Sequence, residues 1–141
     1  MKRGAFYKTF EHTADLGVDV YAANIEELFS NAALAMFTEM LDQAPPLGDL
    51  EFQIEVRGAD REELLVRWLN ELLFLSQTKG VAFGGFRKLK VDSESISATA
   101  LAADIEKAGL RAKVEIKAAT YHMIAVEETG EGFRGRIIFD L

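Results

Sequence analysis

Three carboxylate groups, one near the start of the chain and two at its end, have the chemistry of a divalent-cation site. Asp15 begins a predicted strand directly after a turn, a position where binding residues often lie. Asp140 faces away from the apolar residues of the last predicted strand, and Leu141 is expected to add a terminal α-carboxylate. Neighbouring anions repel unless a cation or a basic side chain neutralises them. If the fold brings Asp15 to the other two groups, their oxygens suit Ca²⁺, Mg²⁺ or Mn²⁺ rather than Zn²⁺.

Asp15 and the polar residues near it also have simpler structural explanations. A single aspartate at a turn, such as Asp15, is more often a cap or a solvated group. The two histidines, His12 and His122, lie beside predicted strand ends without the spacing of a metal-binding motif. A structural role is the default for both, and a role in hydrogen bonding or beside a metal stays open. Tyr121 adjoins His122 on the opposite face of its strand.

The motifs of several enzyme classes are absent from the sequence. It contains no G-x-S-x-G, no G-x-x-x-x-G-K, no G-x-G-x-x-G and no H-E-x-x-H pattern. The absence of cysteine excludes disulfides, thiolate zinc sites and cysteine nucleophiles. The glutamate pairs at 26–27 and 62–63 fall in first helical turns, where the helix dipole explains them. A hydrolase acting by itself therefore has no evident nucleophile or base.

The charge of the chain weighs against nucleic acid and membrane partners. The net charge is −7, whereas phosphate backbones and anionic lipids attract clustered lysine and arginine. The basic stretch 87–90 includes an apolar residue, which is typical of a half-buried strand with a solvated face. No apolar run reaches the ~20 residues of a membrane span, and residues 1–5 lack a signal core. We expect a cytoplasmic protein without strong direct binding to nucleic acid.

A period of two in the apolar residues predicts strands in both halves of the chain. The cleanest pattern begins at Leu50 and ends at Val56, where apolar and polar residues alternate. The predicted strands cover residues 6–11, 15–22, 50–56, 83–92, 94–103, 112–120, 122–128 and 133–140, with a turn at residues 12–14 between the first two.

Two helices are predicted from capping signals followed by apolar residues at helical spacing. Asn24 precedes Glu27 by three residues and opens a helix over about residues 25–41. Asp60 and Glu63 repeat this pattern before the apolar segment 64–75, which is expected to be the most buried helix. With 141 residues, 49% of them hydrophobic, the chain is expected to form one domain over residues 1–141. The predicted class is α+β, with two helices packed on a largely antiparallel sheet.

Four separate blocks of sequence resemble the archease family, and their order and the chain length match it as well. The blocks are E-H-T-A-D-L-G at 11–17, W-L-N-E-L-L at 68–73, K-A-A-T-Y-H at 117–122 and I-F-D-L at 138–141. The resemblance covers essentially the whole chain. Four blocks in order are far more specific than any single one.

The resemblance implies an accessory protein for an RtcB-type RNA ligase, which joins RNA ends in tRNA splicing with GTP and a divalent metal. In that family the ligase is guanylylated on a histidine, and the archease promotes this step and multiple turnover without being a ligase itself. The resemblance implies cation ligands at Asp15, Asp140 and Leu141. It makes His12, Tyr121 and His122 candidate neighbours of the functional tip, the part of the fold that carries these ligands. The alternatives are a metal-dependent phosphoester hydrolase that acts alone, or a general chaperone-like helper of RNA-processing enzymes.

Overall fold

The structure is a computed structural model that describes residues 6–12 and 14–141. Residues 1–5, with their predicted lack of a signal core, lie outside the described residues. Thr13, the middle residue of the predicted turn at 12–14, lies outside them as well.

Within the described residues the chain forms two helices and seven strands, which confirms the predicted α+β class. In chain order the elements are β1 (Tyr7–His12), β2 (Asp15–Ala22), α1 (Ile25–Leu41), β3 (Leu50–Arg57), α2 (Arg61–Lys79), β4 (Val81–Val91), β5 (Ser95–Asp104), β6 (Ala118–Thr129) and β7 (Gly132–Asp140).

The described strands pair antiparallel throughout and divide into two sheets. One sheet has the strand order β1-β2-β7-β6, and the other has the order β3-β5-β4. The first sheet joins the beginning of the chain to its end, because β2 pairs with β7. Helices α1 and α2 pack against strands of both sheets and bury a common hydrophobic core. The sequence pattern predicted the antiparallel pairing but not this division into two sheets.

Both helices begin as their capping signals predict. The Asn24 side chain accepts a hydrogen bond from the Glu27 N–H at 2.9 Å, and the Glu27 carboxylate accepts one from the Ala23 N–H at 2.7 Å. Asp60 and Glu63 make the corresponding bonds at the start of α2, at 2.8 Å and 2.7 Å. Each reciprocal pair satisfies backbone donors that have no partner within the helix.

The prediction that α2 would be the most buried helix was wrong. Eleven of the 17 residues of α1 are buried, compared with eight of the 19 residues of α2. The reason lies on the outer side of α2, where Phe74 is 57% exposed although it belongs to the apolar segment. Trp68 on the inner side of α2 is fully buried, and its indole N–H donates to the Phe29 carbonyl of α1 at 3.0 Å. This bond links the two helices within the core.

The strands predicted over 112–120 and 122–128 were wrong in their boundaries. Residues 111–117 form no strand, because the Lys113 and Val114 N–H groups donate to the Met40 carbonyl at the end of α1, at 2.7 Å and 3.2 Å. These donors therefore bond a helix end instead of a sheet. Strand β6 begins at Ala118 and continues through Tyr121 to residue 129. Neither helix in the described part of the chain has the length and apolarity of a membrane span.

Candidate functional site

The predicted cation-binding residues lie along one end of the four-stranded sheet. The register of β2 and β7 pairs Leu16 with Phe139, so Asp15 and Asp140 each lie one residue further toward the same end. On the two outer strands, His12 pairs with Asp15 and Ala118 pairs with Asp140. One row of residues therefore crosses all four strands at this end: His12, Asp15, Asp140 and Ala118. Leu141 follows directly after Asp140.

This end of the sheet is acidic and accessible to solvent. Asp15 is half-buried, Asp140 is exposed, and Leu141 is 37% exposed. No ion pair joins the Asp140 carboxylate to another side chain among residues 6–12 and 14–141. A negatively charged group without a basic partner favours the binding of a cation beside it.

The donor set fits a hard cation but is small. Across the described residues, no three His, Cys, Asp or Glu side chains form a group that could hold a metal ion. Asp15 and Asp140 supply two side-chain carboxylates, and the main-chain oxygens of Leu141 follow directly after Asp140. Oxygen donors of this kind suit Ca²⁺, Mg²⁺ or Mn²⁺.

An ion pair that the sequence did not reveal lies further along the same outer face. Arg136 on β7 donates to both carboxylate oxygens of Asp19 on β2, at 2.7 Å and 2.9 Å. This bonding raises the pKa of Arg136 above its ordinary value. The guanidinium group also lies over the Phe10 ring, 4.5 Å from its centroid. Arg136 is therefore neutralised by Asp19.

Gly17 has a specific packing role between the ion pair and the sheet end. It pairs with Phe10 on one side and Ile138 on the other. The Phe10 ring occupies the space that a Cβ at position 17 would need. A glycine here lets the Phe10 ring cross β2 and reach Arg136.

Tyr121 and His122 lie on the edge strand β6, but outside the row that contains Asp15 and Asp140. Between Thr120 and Ala125, β6 advances five residues while β7 advances two, so β6 carries an irregular bulge. Tyr121 and His122 are exposed in this bulge, and Met123 adopts a positive φ of 55°. The bulge directs these side chains outward, which no alternation of residue types could predict.

The first residues of β6 are held by Asn70, which the sequence analysis did not single out. The Asn70 side-chain amide donates to the Ala119 carbonyl at 3.1 Å, and its oxygen accepts from the Ala119 N–H at 2.8 Å. β6 is the last strand of its sheet, so Asn70 bonds the backbone as a further strand would. The available signal was a single amide within the apolar segment of α2.

These observations define the class of the protein as an α+β domain in which the second and last strands pair and end at an acidic sheet end. The family model described as the archease protein family (MTH1598/TM1083) matches residues 7–141. The protein archease of Methanosarcina barkeri is 36% identical, and the alignment covers 99% of this chain and 98% of that protein. The protein archease of Methanothermobacter thermautotrophicus is 37% identical, with coverage of 96% and 98%. The chain belongs to the archease family.

Two solved structures share this fold. The solution structure of protein 1598 from Methanobacterium thermoautotrophicum is similar with a TM-score of 0.82 and 35% identity, over 96% of this chain and 99% of that one. A crystal structure from Thermotoga maritima, described as an archease and possible chaperone, has a TM-score of 0.60 and 22% identity, over 95% and 96% of the two chains. The second likeness concerns the fold alone.

Proposed function

We propose that this protein is a non-catalytic activator of an RtcB-type tRNA-splicing RNA ligase. It promotes the metal- and GTP-dependent guanylylation of the ligase and lets the ligase turn over repeatedly. The observation that carries the proposal is membership of the archease family along nearly the full chain, with the acidic sheet end formed by two of the sequence blocks that resemble this family. A cytoplasmic location fits this role.

We further propose that Asp15, Asp140 and the terminal carboxylate of Leu141 bind a divalent cation. The support is the register that leads both aspartates to the same sheet end, together with their half-buried and exposed positions. On the same face, Arg136 is already bonded to Asp19.

The acidic sheet end is suited to approach a nucleotide-binding site on another protein. A bound divalent cation would supply positive charge that stabilises the negative charge developing on phosphate oxygens during nucleotidyl transfer. Asp15 and Asp140 hold their carboxylates at the ends of paired strands, which limits their movement before the partner arrives. The exposed Tyr121 and His122 lie on the strand beside them and are candidates for contact with the ligase.

The proposed activity is tested by guanylylation of the cognate ligase at limiting ligase concentration. We expect this protein to raise the initial rate of guanylylation and to allow more than one ligation per ligase molecule. The measurement follows transfer of labelled GMP to the ligase and the yield of joined RNA, with and without this protein. Equal rates and yields in both reactions would contradict the activator proposal.

A second prediction concerns the end of the chain. If the α-carboxylate of Leu141 is a ligand, a short Gly-Ser extension after Leu141 replaces that anion with an amide and weakens cation binding. We expect about a tenfold or larger loss of affinity, which calorimetric titration with Ca²⁺ and Mn²⁺ can measure. The control carries the same extension before Met1. Equal affinities of the two extended proteins would remove Leu141 from the ligand set.

A general chaperone-like role is the second candidate, because the described surface includes large exposed apolar side chains. Phe74, Tyr121 and Met123 are 57%, 54% and 46% exposed. Such side chains can bind apolar segments of a client protein. Suppression of aggregation of unrelated proteins, without any effect on ligase guanylylation, would favour this role. Hydrolysis of RNA or nucleotide phosphates by the isolated protein would instead favour a stand-alone metal-dependent hydrolase.

A further inference from the structure

We propose that Asn70 is a positioning residue for the cation site, because it holds the short strand segment that orients Asp140. This inference rests on the proposed cation site and names a residue far from it in sequence that determines its geometry. Asn70 acts through the first three residues of β6, which lie beside Asp140.

The segment of β6 beside Asp140 is connected to β7 by a short ladder. Ala118, Ala119 and Thr120 pair in register with Asp140, Phe139 and Ile138. The Lys117 N–H donates to the Asp140 carbonyl at 2.8 Å, and the Thr120 hydroxyl donates to the Ile138 carbonyl at 2.7 Å. The backbone at Asp140 is therefore held by this segment on one side, while β2 pairs with Phe139 and Ile138 on the other side.

This short ladder is isolated from other regular pairing of β6. After Thr120 the register is lost until Ala125 pairs with Arg136. Before Ala118, residues 111–117 form no strand, so no ladder continues in that direction. Cooperation with neighbouring strand pairs, which normally holds a strand end in place, is reduced on both sides.

Asn70 compensates for this isolation by bonding the segment at the open edge of the sheet. Its side chain makes two reciprocal hydrogen bonds with Ala119, the middle residue of the segment. The anchor itself is rigid, because the neighbouring Leu69 and Trp68 of α2 are fully buried in the core. The chain of contacts runs from the core through Asn70 to Ala119, and from there across the ladder to Asp140.

The chemistry of the contact is specific to an amide. Replacing Asn70 with alanine removes a donor and an acceptor at once and leaves both backbone groups of Ala119 without their protein partner. Replacing it with aspartate keeps the shape and the bond from the Ala119 N–H, but puts a carboxylate oxygen against the Ala119 carbonyl. Both changes should loosen the segment, and Asn70→Asp does so with little change in volume.

The test combines Ca²⁺ titration with amide hydrogen exchange of the full chain. We expect Asn70→Ala and Asn70→Asp to lower Ca²⁺ affinity by about 10- to 100-fold, the usual effect of groups that orient metal ligands. In the cation-free proteins, exchange should become faster at Lys117 and Thr120 but stay unchanged beyond the bulge, at residues 125–129. The exchange result does not depend on a bound cation.

The matched control is Gln53→Ala, which removes another amide with reciprocal hydrogen bonds, in the other sheet. Gln53 bonds the Thr99 hydroxyl at 3.0 Å as donor and 3.3 Å as acceptor. This variant should keep Ca²⁺ affinity within about twofold, because it shares no partner with the sheet end. If Asn70→Ala fails to fold, Asn70→Asp and its exchange pattern decide.

The outcomes separate the two proposals. Failure of the unsubstituted protein to bind Ca²⁺ or Mn²⁺ overturns the cation site, and this inference with it. Binding by the unsubstituted protein with equal affinity in both Asn70 variants overturns the role of Asn70 alone. Faster exchange throughout the chain, with unchanged affinity, would show that Asn70 supports the fold in general and would also overturn that role.

Discussion

Replacing either Asp15 or Asp140 with alanine is expected to abolish the acceleration of ligase guanylylation. Each substitution removes one of the two carboxylates that lie one residue beyond the Leu16–Phe139 pair. The proposed site depends on both carboxylates, since no group of three or more His, Cys, Asp or Glu side chains among the described residues could hold a metal ion. Ca²⁺ affinity should fall by more than ~100-fold, beyond the range found for groups that only orient ligands.

Both the guanylylation rate and the calorimetric titration check this expectation, with Asp49→Ala as the matched control. Asp49 is also an exposed aspartate next to a strand end, but it precedes β3 in the other sheet. Its removal should change the rate and the affinity by no more than about twofold. Full acceleration by the Asp15→Ala or Asp140→Ala protein would rule out a role for these carboxylates in activation.

The largest expected effect on stability follows from Trp68→Ala. Trp68 is fully buried, its ring centroid lies 5.2 Å from that of Phe86 on β4, and its indole bonds the Phe29 carbonyl of α1. The substitution leaves a large cavity between helix and sheet. We expect a loss of about 3–5 kcal/mol in the free energy of unfolding, typical of a buried aromatic residue replaced by alanine.

Urea unfolding followed by far-ultraviolet circular dichroism measures this loss without needing the tryptophan as a probe. Phe74→Ala on the same helix is the comparison, because Phe74 is 57% exposed and should cost far less. If the two variants lost similar amounts of stability, the orientation of α2 described above would be wrong.

The secondary structure could be predicted largely from residue patterns, and the errors have identifiable physical causes. The capping pairs at Asn24 and Asp60 act within one helical turn, so the starts of both helices followed from local sequence. The strand predicted over 112–120 was wrong in its boundary because the Lys113 and Val114 N–H groups bond the Met40 carbonyl, a partner far away in sequence. Alternation reports which side chains face the core, but it does not identify the partner of the backbone.

The candidate site was predictable in its residue types and less so in its geometry. The blocks around Asp15 and Asp140 could be recognised in the sequence, and the structure has both at one end of the same sheet. The hydrogen bonds of Asn70 to Ala119 were not recognised, and neither was the ion pair of Asp19 with Arg136. Asn70 and Ala119 are 49 residues apart in sequence, and Asp19 and Arg136 are 117 residues apart. The cation and the ligase partner remain predictions for the experiments above.

The sequence by itself determined the α+β class, both helix starts, the half-buried strand at β3 and the membership of the archease family. These depend on local periodicity, capping and ordered motifs, which are properties of neighbouring residues. The tertiary structure decided how the strands divide into two sheets, that β2 lies beside β7, and that an amide on α2 holds the edge of β6. The physical reason is that strand pairing and side-chain clamps join groups that only packing of the whole core brings together.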